Sequence, residues 1–202
     1  MKATVRLALT LAMLALSQST VAIDKEAQQN FDQLLMESGL RMETPQHYID
    51  IPIEANPVLP YERAIQHESG ALEVRFIIRP LSRITIDYTD PHNAAPEPNH
   101  LFPLLFESIT TQLSAGGDMP SSTFSTSQAE SNFNAQWAAA TVFDVVPEFS
   151  ADYRSALLIG MHKNQMADAY TLFLYNDHEQ AKSLINAALS TLAFTPTSAT
   201  AK

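Results

Sequence analysis

The sequence predicts a single α+β domain in which helices flank a mostly antiparallel sheet, in an αβα-like sandwich. Short apolar runs with a period of two predict strands, and segments with apolar residues at helical spacing lie before, between and after those runs. We find no internal repeat and no long linker, and the 202-residue chain is long enough for one hydrophobic core. We therefore expect one domain over residues 23–194.

The first 22 residues have the pattern of a cleavable secretory signal peptide. Lys2 and Arg6 make the start positive, and Leu7–Leu16 is an uncharged, mainly apolar run. This run is too short to cross a bilayer, which takes about 20 apolar residues. The alternative is a buried N-terminal helix, but such a helix would have a polar face that this run lacks. We expect cleavage after Ala22.

Cysteine is absent from the chain, which excludes disulfides, thiolate metal sites and thiol nucleophiles. A bacterial lipoprotein needs a cysteine at the first mature position to carry its lipid. Ile23 stands there, so we do not expect a lipoprotein. Together with the signal peptide, these observations favour a soluble protein of the periplasm or one that is secreted.

The chain is strongly acidic, with 12 basic and 22 acidic residues and a formal net charge of −10. Removal of Lys2 and Arg6 with the signal peptide would leave the mature domain at about −12. Nucleic acid and anionic lipid repel such a surface, so we expect neither nucleic-acid binding nor stable membrane insertion. A cationic ligand, a metal ion or a basic partner is compatible with this charge, although a solvated acidic surface is the commoner meaning.

The first half of the chain begins with a predicted helix over Asp24–Ser38, for which Gly39 is a natural end. Prolines punctuate the next stretch, and the alternating run Tyr48–Ile53 suits an edge strand. Apolar and charged residues then alternate in Leu72–Arg79 and again in Arg83–Tyr88, which predicts a hairpin. We expect one face of this hairpin to be core and the other to be exposed.

The second half begins with a predicted helix from His100 to Ala115, with Asn99 as its N-cap. The stretch Ser127–Glu130 has a capping-box pattern, which predicts a short helix through Phe133. After it, Thr141–Val146 is predicted to be a strand.

Two further strands are predicted at the centre of the sheet. Ser155–Met161 and Ala169–Tyr175 are apolar on both alternating sets of positions, which is typical of strands covered on both faces. The polar break His162–Gln165 between them indicates a hairpin turn.

The last predicted helix is amphipathic, with Asp177 as its N-cap and Gln180 at the N3 position. Its apolar spacing continues as far as Leu192, and the element closes in Leu192–Phe194. The tail 195–202 has almost no apolar content, so we expect it to be disordered.

This order of elements over about residues 47–194, together with the closing Leu-x-Phe, resembles the Mog1/PsbP/DcrB-like αβ families. The resemblance implies an antiparallel sheet flanked by helices. It also implies a binding or assembly accessory in place of a catalyst. It transfers no functional residue to this chain.

The glycines are too few and too scattered for the common nucleotide and ester-hydrolase motifs. His67-Glu68 and His178-Glu179 begin like zinc-protease motifs. However, Ala71 and Lys182 stand where the second histidine would have to bind the metal. We therefore expect both pairs to be polar surface residues.

One segment, 90–100, stands out as a candidate site. Its three prolines stiffen the loop, so the side chains that it carries are presented reproducibly. The candidate ligand-binding residues, with His162 added from the predicted hairpin turn, are Asp90, His92, Glu97, His100 and His162. Their mixed nitrogen and oxygen donors suit a divalent metal ion, the one cofactor that the sequence suggests. The alternative is a stiff connector whose side chains satisfy local backbone groups.

Three weaker candidates have a structural alternative. Arg75, Arg79 and Arg83 could bind a carboxylate; the alternative is a solvated ladder of ion pairs, with Glu73 and Asp87 within cross-strand reach. Trp137 could line a pocket with Phe133 and Phe143, although aromatic residues at such spacing usually fill the core. The serines of 121–127 could pair with a histidine, but no third, orienting group accompanies them.

The sequence thus favours a non-enzymatic, exported envelope protein that binds a partner protein or a small ligand. The competing interpretation is a metal-binding protein or a metal-dependent hydrolase that uses the 90–100 loop.

Overall fold

The computed structural model describes residues 26–87, 89, 92, 96–116 and 119–196. The predicted signal peptide and residues 197–202 of the predicted tail lie outside this part of the chain. The first described element is helix α1, residues 26–38, which matches the predicted N-terminal helix. It ends at Gly39, whose φ of 61° is a left-handed conformation that glycine adopts without steric penalty.

Seven antiparallel strands form the main sheet, in the spatial order β2-β3-β4-β8-β7-β6-β5. A separate two-stranded sheet pairs β1 with β9. This architecture confirms the predicted α+β class with an antiparallel sheet. The strands are β1 (Leu40–Met42), β2 (Tyr48–Ile51), β3 (Arg63–His67), β4 (Glu73–Pro80), β5 (Ser121–Thr123), β6 (Trp137–Asp144), β7 (Ser155–Lys163), β8 (Ala167–Tyr175) and β9 (Leu192–Phe194).

Helices cover the sheet on both faces. Three more follow α1: α2 (Phe102–Leu113), α3 (Thr126–Phe133) and α4 (His178–Ala188). One core cluster joins residues of α1, α3 and α4 to one face of the sheet, and a second joins α2 and two loops to the other face. The predicted sandwich of helices around a sheet is therefore present.

Strand β8 lies at the centre of the sheet, between β4 and β7, and all nine of its residues are buried. Such a strand needs apolar residues at both sets of alternating positions. The run Ala169–Tyr175 has them, which is why the sequence identified this strand correctly.

Helix α2 packs very closely on β7, and Gly160 makes this possible. A Cβ atom at Gly160 would lie 2.7 Å from Cδ2 of Phe106 and 2.9 Å from Cζ of Phe102. Both rings are buried. The missing side chain therefore sets how near α2 comes to the sheet.

The predicted hairpin of 72–79 with 83–88 is wrong. Strand β4 pairs with β3 and β8, while Leu81–Arg83 forms a 3₁₀ turn and residues 84–87 form no strand. The predicted exposed face is wrong too, because Glu73 and Arg75 are buried. The sheet is covered on both sides, so the charged residues of β4 lie under the loops that carry the second core cluster.

Several predicted boundaries shift. The observed capping box joins Ser125 to Gln128, not Ser127 to Glu130, so helix α3 begins two residues earlier than expected. The predicted strand 141–146 is β6, and it begins at Trp137. Leu192–Phe194 is a strand that pairs with β1, not the end of the last helix.

The N-cap predicted for α4 is confirmed, because the side chain of Asp177 accepts hydrogen bonds from two backbone N–H groups of the first turn. Asn99 does not cap α2; Leu101 holds that position. None of the described helices is both long and apolar enough to cross a membrane.

Candidate ligand-binding cavity

A cavity of about 480 Å³ lies between helix α2 and the end of β4, and we call it the α2–β4 cavity. Its wall combines one side of α2, the last residues of β4 with the turn that follows them, the loop that precedes β3, and single residues from α1 and β8. Apolar side chains dominate the wall. The lining residues are Leu34, Leu59, Glu62, Ile78, Arg79, Pro80, Arg83, Ile84, Leu105, Ser108, Ile109, Gln112 and Tyr170.

Side chains close the edge of β4 that borders the cavity. Strand β3 pairs with β4 only as far as Phe76. Beyond it, Oε2 of Glu62 accepts from the backbone N–H of Ile78 at 2.9 Å, and Oε1 accepts from Nη1 of Arg79 at 2.6 Å. The same Nη1 donates to the carbonyl of Ile78, and Pro80 ends the strand without an N–H group. This edge is therefore sealed against pairing with another strand.

Arg83 contributes a half-exposed guanidinium group to the cavity. Its side chain is 53% exposed, and its Nε donates to Oε2 of Glu37 at 2.7 Å. This hydrogen bond raises the pKa of Arg83 and, with a second one from Gln33, holds the pKa of Glu37 below its usual range. Within the described part of the chain, both terminal nitrogens of Arg83 are without a partner.

Tyr170 on β8 is the most deeply buried residue of the cavity wall, and its ring stacks on Phe102 with centroids 5.8 Å apart. Its hydroxyl group has no hydrogen-bond partner among the described residues. Burial raises the pKa of Tyr170, the charge of Asp168 raises it further, and Arg79 opposes both. The hydroxyl group therefore stays neutral and can donate a hydrogen bond.

A buried pair, His162 on β7 and Asp168 on β8, lies on the same face of the sheet. Nδ1 of His162 is 2.6 Å from Oδ1 of Asp168, and Nε2 is 2.8 Å from Oδ1 of Asn164. Burial alone would lower the pKa of His162, but the hydrogen bonds to Asp168 and Asn164 and the charge of Asp168 raise it above its ordinary value. Burial raises the pKa of Asp168, and the hydrogen bond to His162 opposes that shift.

The imidazole ring of this pair has no open nitrogen for a solute, because both are hydrogen-bonded and Phe102 lies against the ring at 5.6 Å. Oδ2 of Asp168 has no partner among the described residues, but it is fully buried. A catalytic base must reach the proton that it removes. The pair thus anchors the β7–β8 hairpin and has no access to a substrate.

The predicted loop site is divided by the structure. Asp90 lies outside the described residues, while His92, Glu97 and His100 are exposed. His162 is buried on strand β7, so its predicted place in the hairpin turn is wrong.

Within the described ranges, no group of three His, Asp or Glu residues could hold a metal ion. Because Asp90 is not described, the metal site of the 90–100 loop stays a prediction. The structure does fix one end of this loop, since Oδ1 of Asn99 accepts from the backbone N–H of Gln165 at 2.7 Å.

The arginines of β4 and of the turn after it form ion pairs within the protein, which was the alternative to a carboxylate-binding site. Arg75 donates to Glu73 at 2.6 Å, but this pair is buried within one strand and is not the solvated cross-strand ladder that was predicted. Its guanidinium group lies 4.7 Å from the ring centroid of Tyr61 and 4.8 Å from that of Phe149. Arg79 and Arg83 pair with Glu62 and Glu37, which the sequence did not indicate. Phe133 and Phe143 are buried in the two core clusters and Trp137 packs against the second, so none of them lines the α2–β4 cavity.

No family model matches the chain, and no curated protein matches it. The chain is similar to the solution structure of cyanobacterial PsbP (CyanoP) from Synechocystis sp. PCC 6803, at 14% identity over 78% of this chain and 88% of that chain. The TM-score is 0.40, and no functional conclusion follows from it.

Sequence reasoning missed the α2–β4 cavity because its wall comes from five separate segments. The sequence of β8 does contain one indication of the cavity. Asp168, Tyr170 and Thr171 carry polar groups in a run that is otherwise apolar and that forms the most buried strand of the sheet. Polar groups at such positions need partners, so they mark places where the interior has a special arrangement.

Proposed function

We propose that this protein is a non-enzymatic binding protein of the cell envelope that holds a small, mainly apolar ligand in the α2–β4 cavity. The observation that carries the proposal is the cavity itself. Its volume of about 480 Å³ falls within the range of about 300–1,000 Å³ that is common for small-molecule sites. Its wall is mainly apolar with a few polar groups, which is the usual make-up of such sites.

The frame around the cavity supports this proposal because it is fixed before any ligand arrives. Glu62 and Arg79 hold the edge of β4, and Gly160 lets α2 pack tightly on β7. A preformed site avoids the entropy loss of ordering loops on binding.

The proposed location is outside the cytoplasm, after removal of residues 1–22. The test is the mass of the protein isolated from its native cells. A mature chain that begins at Ile23 supports export, whereas a chain that retains residues 1–22 contradicts it. Native mass spectrometry of the same sample reveals any ligand, partner or metal that co-purifies. Stoichiometric metal that His92→Ala or His100→Ala removes would favour the competing metal-protein function.

The cavity is tested with an apolar fluorescent probe, N-phenyl-1-naphthylamine. Ser108 is exposed and lines the cavity, so Ser108→Trp places an indole over the opening with little effect on the core. Thr111 is also exposed on α2 and does not line the cavity, which makes Thr111→Trp the matched control.

We expect saturable binding of one probe molecule by the wild type and by Thr111→Trp, with binding weakened at least about tenfold in Ser108→Trp. Equal binding by all three proteins, or no binding by the wild type, would contradict the proposal.

A further inference from the structure

We propose that the ligand of the α2–β4 cavity is an amphipathic carboxylate, bound through its anionic head by hydrogen-bond donors of the cavity wall. This inference rests on the proposed function and adds the chemical class of the ligand. It follows from a count of which polar groups of the wall are already used and which are still available.

The one acidic group of the described wall is already engaged. Oε1 of Glu62 accepts from Arg79, and Oε2 accepts from the backbone of Ile78. Glu62 therefore holds the frame of the cavity, and a cationic ligand would have to compete with both bonds.

Besides the exposed Ser108 and Gln112, which can both donate and accept, the groups still available on the described wall are donors of Arg83 and Tyr170. Tyr170 has a buried hydroxyl group with no partner in the described part of the chain, and Arg83 has two terminal nitrogens without one. We call Arg83 and Tyr170 the donor set. Arg79, whose Nη1 is used by Glu62 and by the carbonyl of Ile78, lies diagonally across the β4–β8 pairing from Tyr170, because Ile77 faces Tyr170 and Arg79 faces Asp168.

The two basic residues of the described wall are each paired with one glutamate, Arg79 with Glu62 and Arg83 with Glu37. Arg83 uses only its Nε in that pair, which leaves its terminal nitrogens for an anion. A guanidinium group matches the planar geometry of a carboxylate and can bind it through two parallel hydrogen bonds. The apolar side chains of α1, β4 and α2 then accommodate the body of the ligand.

The hydroxyl group of Tyr170 is one of five buried side-chain atoms without a partner in the described part of the chain, and it is the one that belongs to the cavity wall. A buried polar group without a partner is unfavourable, and native proteins seldom keep one without a reason. Phenylalanine at position 170 would keep the ring stacked on Phe102 and remove the unsatisfied group. The hydroxyl group is therefore more easily explained by what it binds than by the stability of the fold.

The test compares three probes that share one chain and differ in the head group: octanoate, octanamide and octylamine. We expect the wild type to bind octanoate at least about tenfold more tightly than the other two, by titration calorimetry at neutral pH and low salt. The variants are Arg83→Gln and Tyr170→Phe. The control is Arg41→Gln, because Arg41 is also a half-exposed member of an ion pair, with Glu43, and lies outside the cavity.

Arg83→Gln should weaken octanoate binding by about tenfold and change octanamide binding by less than about threefold. Tyr170→Phe should also weaken octanoate binding, while its urea midpoint stays at or above that of the wild type. Arg41→Gln should bind octanoate as the wild type does.

The outcomes separate the two proposals. If all three probes bind with equal affinity and Ser108→Trp blocks them, the cavity is a binding site and the carboxylate inference is overturned. If octanoate preference persists in both Arg83→Gln and Tyr170→Phe, the donor set is wrong. If no probe binds the wild type and the apolar dye also fails, both proposals are overturned.

Discussion

The contact between α2 and β7 is tested most directly by Gly160→Ala. The new Cβ atom would lie 2.7 Å from Cδ2 of Phe106, well inside the 3.4 Å at which ordinary van der Waals contact begins. It would also lie 2.9 Å from Cζ of Phe102. The rings or the whole helix must then move outward by several tenths of an ångström.

Two opposing effects set the expected change in stability. Alanine in a strand interior is favoured over glycine by about 0.5–1 kcal/mol. Overpacking of a core by one methyl group costs about 1–3 kcal/mol. Because both rings are buried and a second ring blocks the movement of the first, we expect the clash to prevail, with a net loss of roughly 1–2 kcal/mol.

The assay is urea denaturation followed by circular dichroism, with a double-mutant cycle. Phe106→Leu removes the ring that is nearest to the new methyl group. Gly160→Ala should therefore destabilise the Phe106→Leu background by about 1 kcal/mol less than it destabilises the wild type. A Gly160→Ala protein that is as stable as the wild type, or more stable, would refute the close packing of α2 on β7.

Three further predictions concern groups away from the cavity. Asp177→Ala removes the N-cap of α4 and should lower the free energy of unfolding by about 1 kcal/mol in urea; an unchanged midpoint would contradict the cap. Arg75→Met leaves Glu73 buried without its cation and should cost about 3–5 kcal/mol, whereas Arg75→Met with Glu73→Leu should recover much of that loss; equal loss in both would show that the pair is not the cause. Because the pKa of His162 is raised in the folded state, its protonated ring stabilises the fold. This contribution to the free energy of unfolding should be fully present below about pH 6.5 and should be lost as the pH rises through the folded-state pKa of His162. His162→Gln, which cannot titrate beside Asp168, should flatten that part of the stability profile, and an unchanged slope would exclude His162 as its origin.

The sequence predicted the central strands and the N-cap of the last helix because local chemistry decides them. Strand β8 is apolar on both faces, and Asp177 has the side chain that a helix start needs. The capping box was predicted at the wrong serine because Ser125 and Ser127 each stand three residues before a suitable partner. Tertiary packing chose between them: with the start at Thr126, both Ala129 and Phe133 are buried.

Pairing partners could not be predicted in the same way. Residues 84–87 alternate well but form no strand, while Arg63–His67 alternates poorly and forms β3, because a partner at the edge of β4 matters more than the local pattern. Leu192–Phe194 continues the apolar spacing of α4, yet these residues pair with β1. The cavity is also a product of tertiary packing, because Leu34 and Tyr170 meet there from opposite ends of the chain.

The position of β8 in the sheet has a consequence for the order in which the chain can fold. Strands β2, β3 and β4 form one half of the sheet, β5, β6 and β7 form the other, and only β8 joins them. It comes late in the chain, at Ala167–Tyr175, and the pairing of Leu40 with Phe194 comes later still. A chain that is still being synthesised can therefore assemble neither the full sheet nor the β1–β9 pair until its last segments have emerged. Contacts of such long sequence separation slow folding, so the complete sheet is expected to form late.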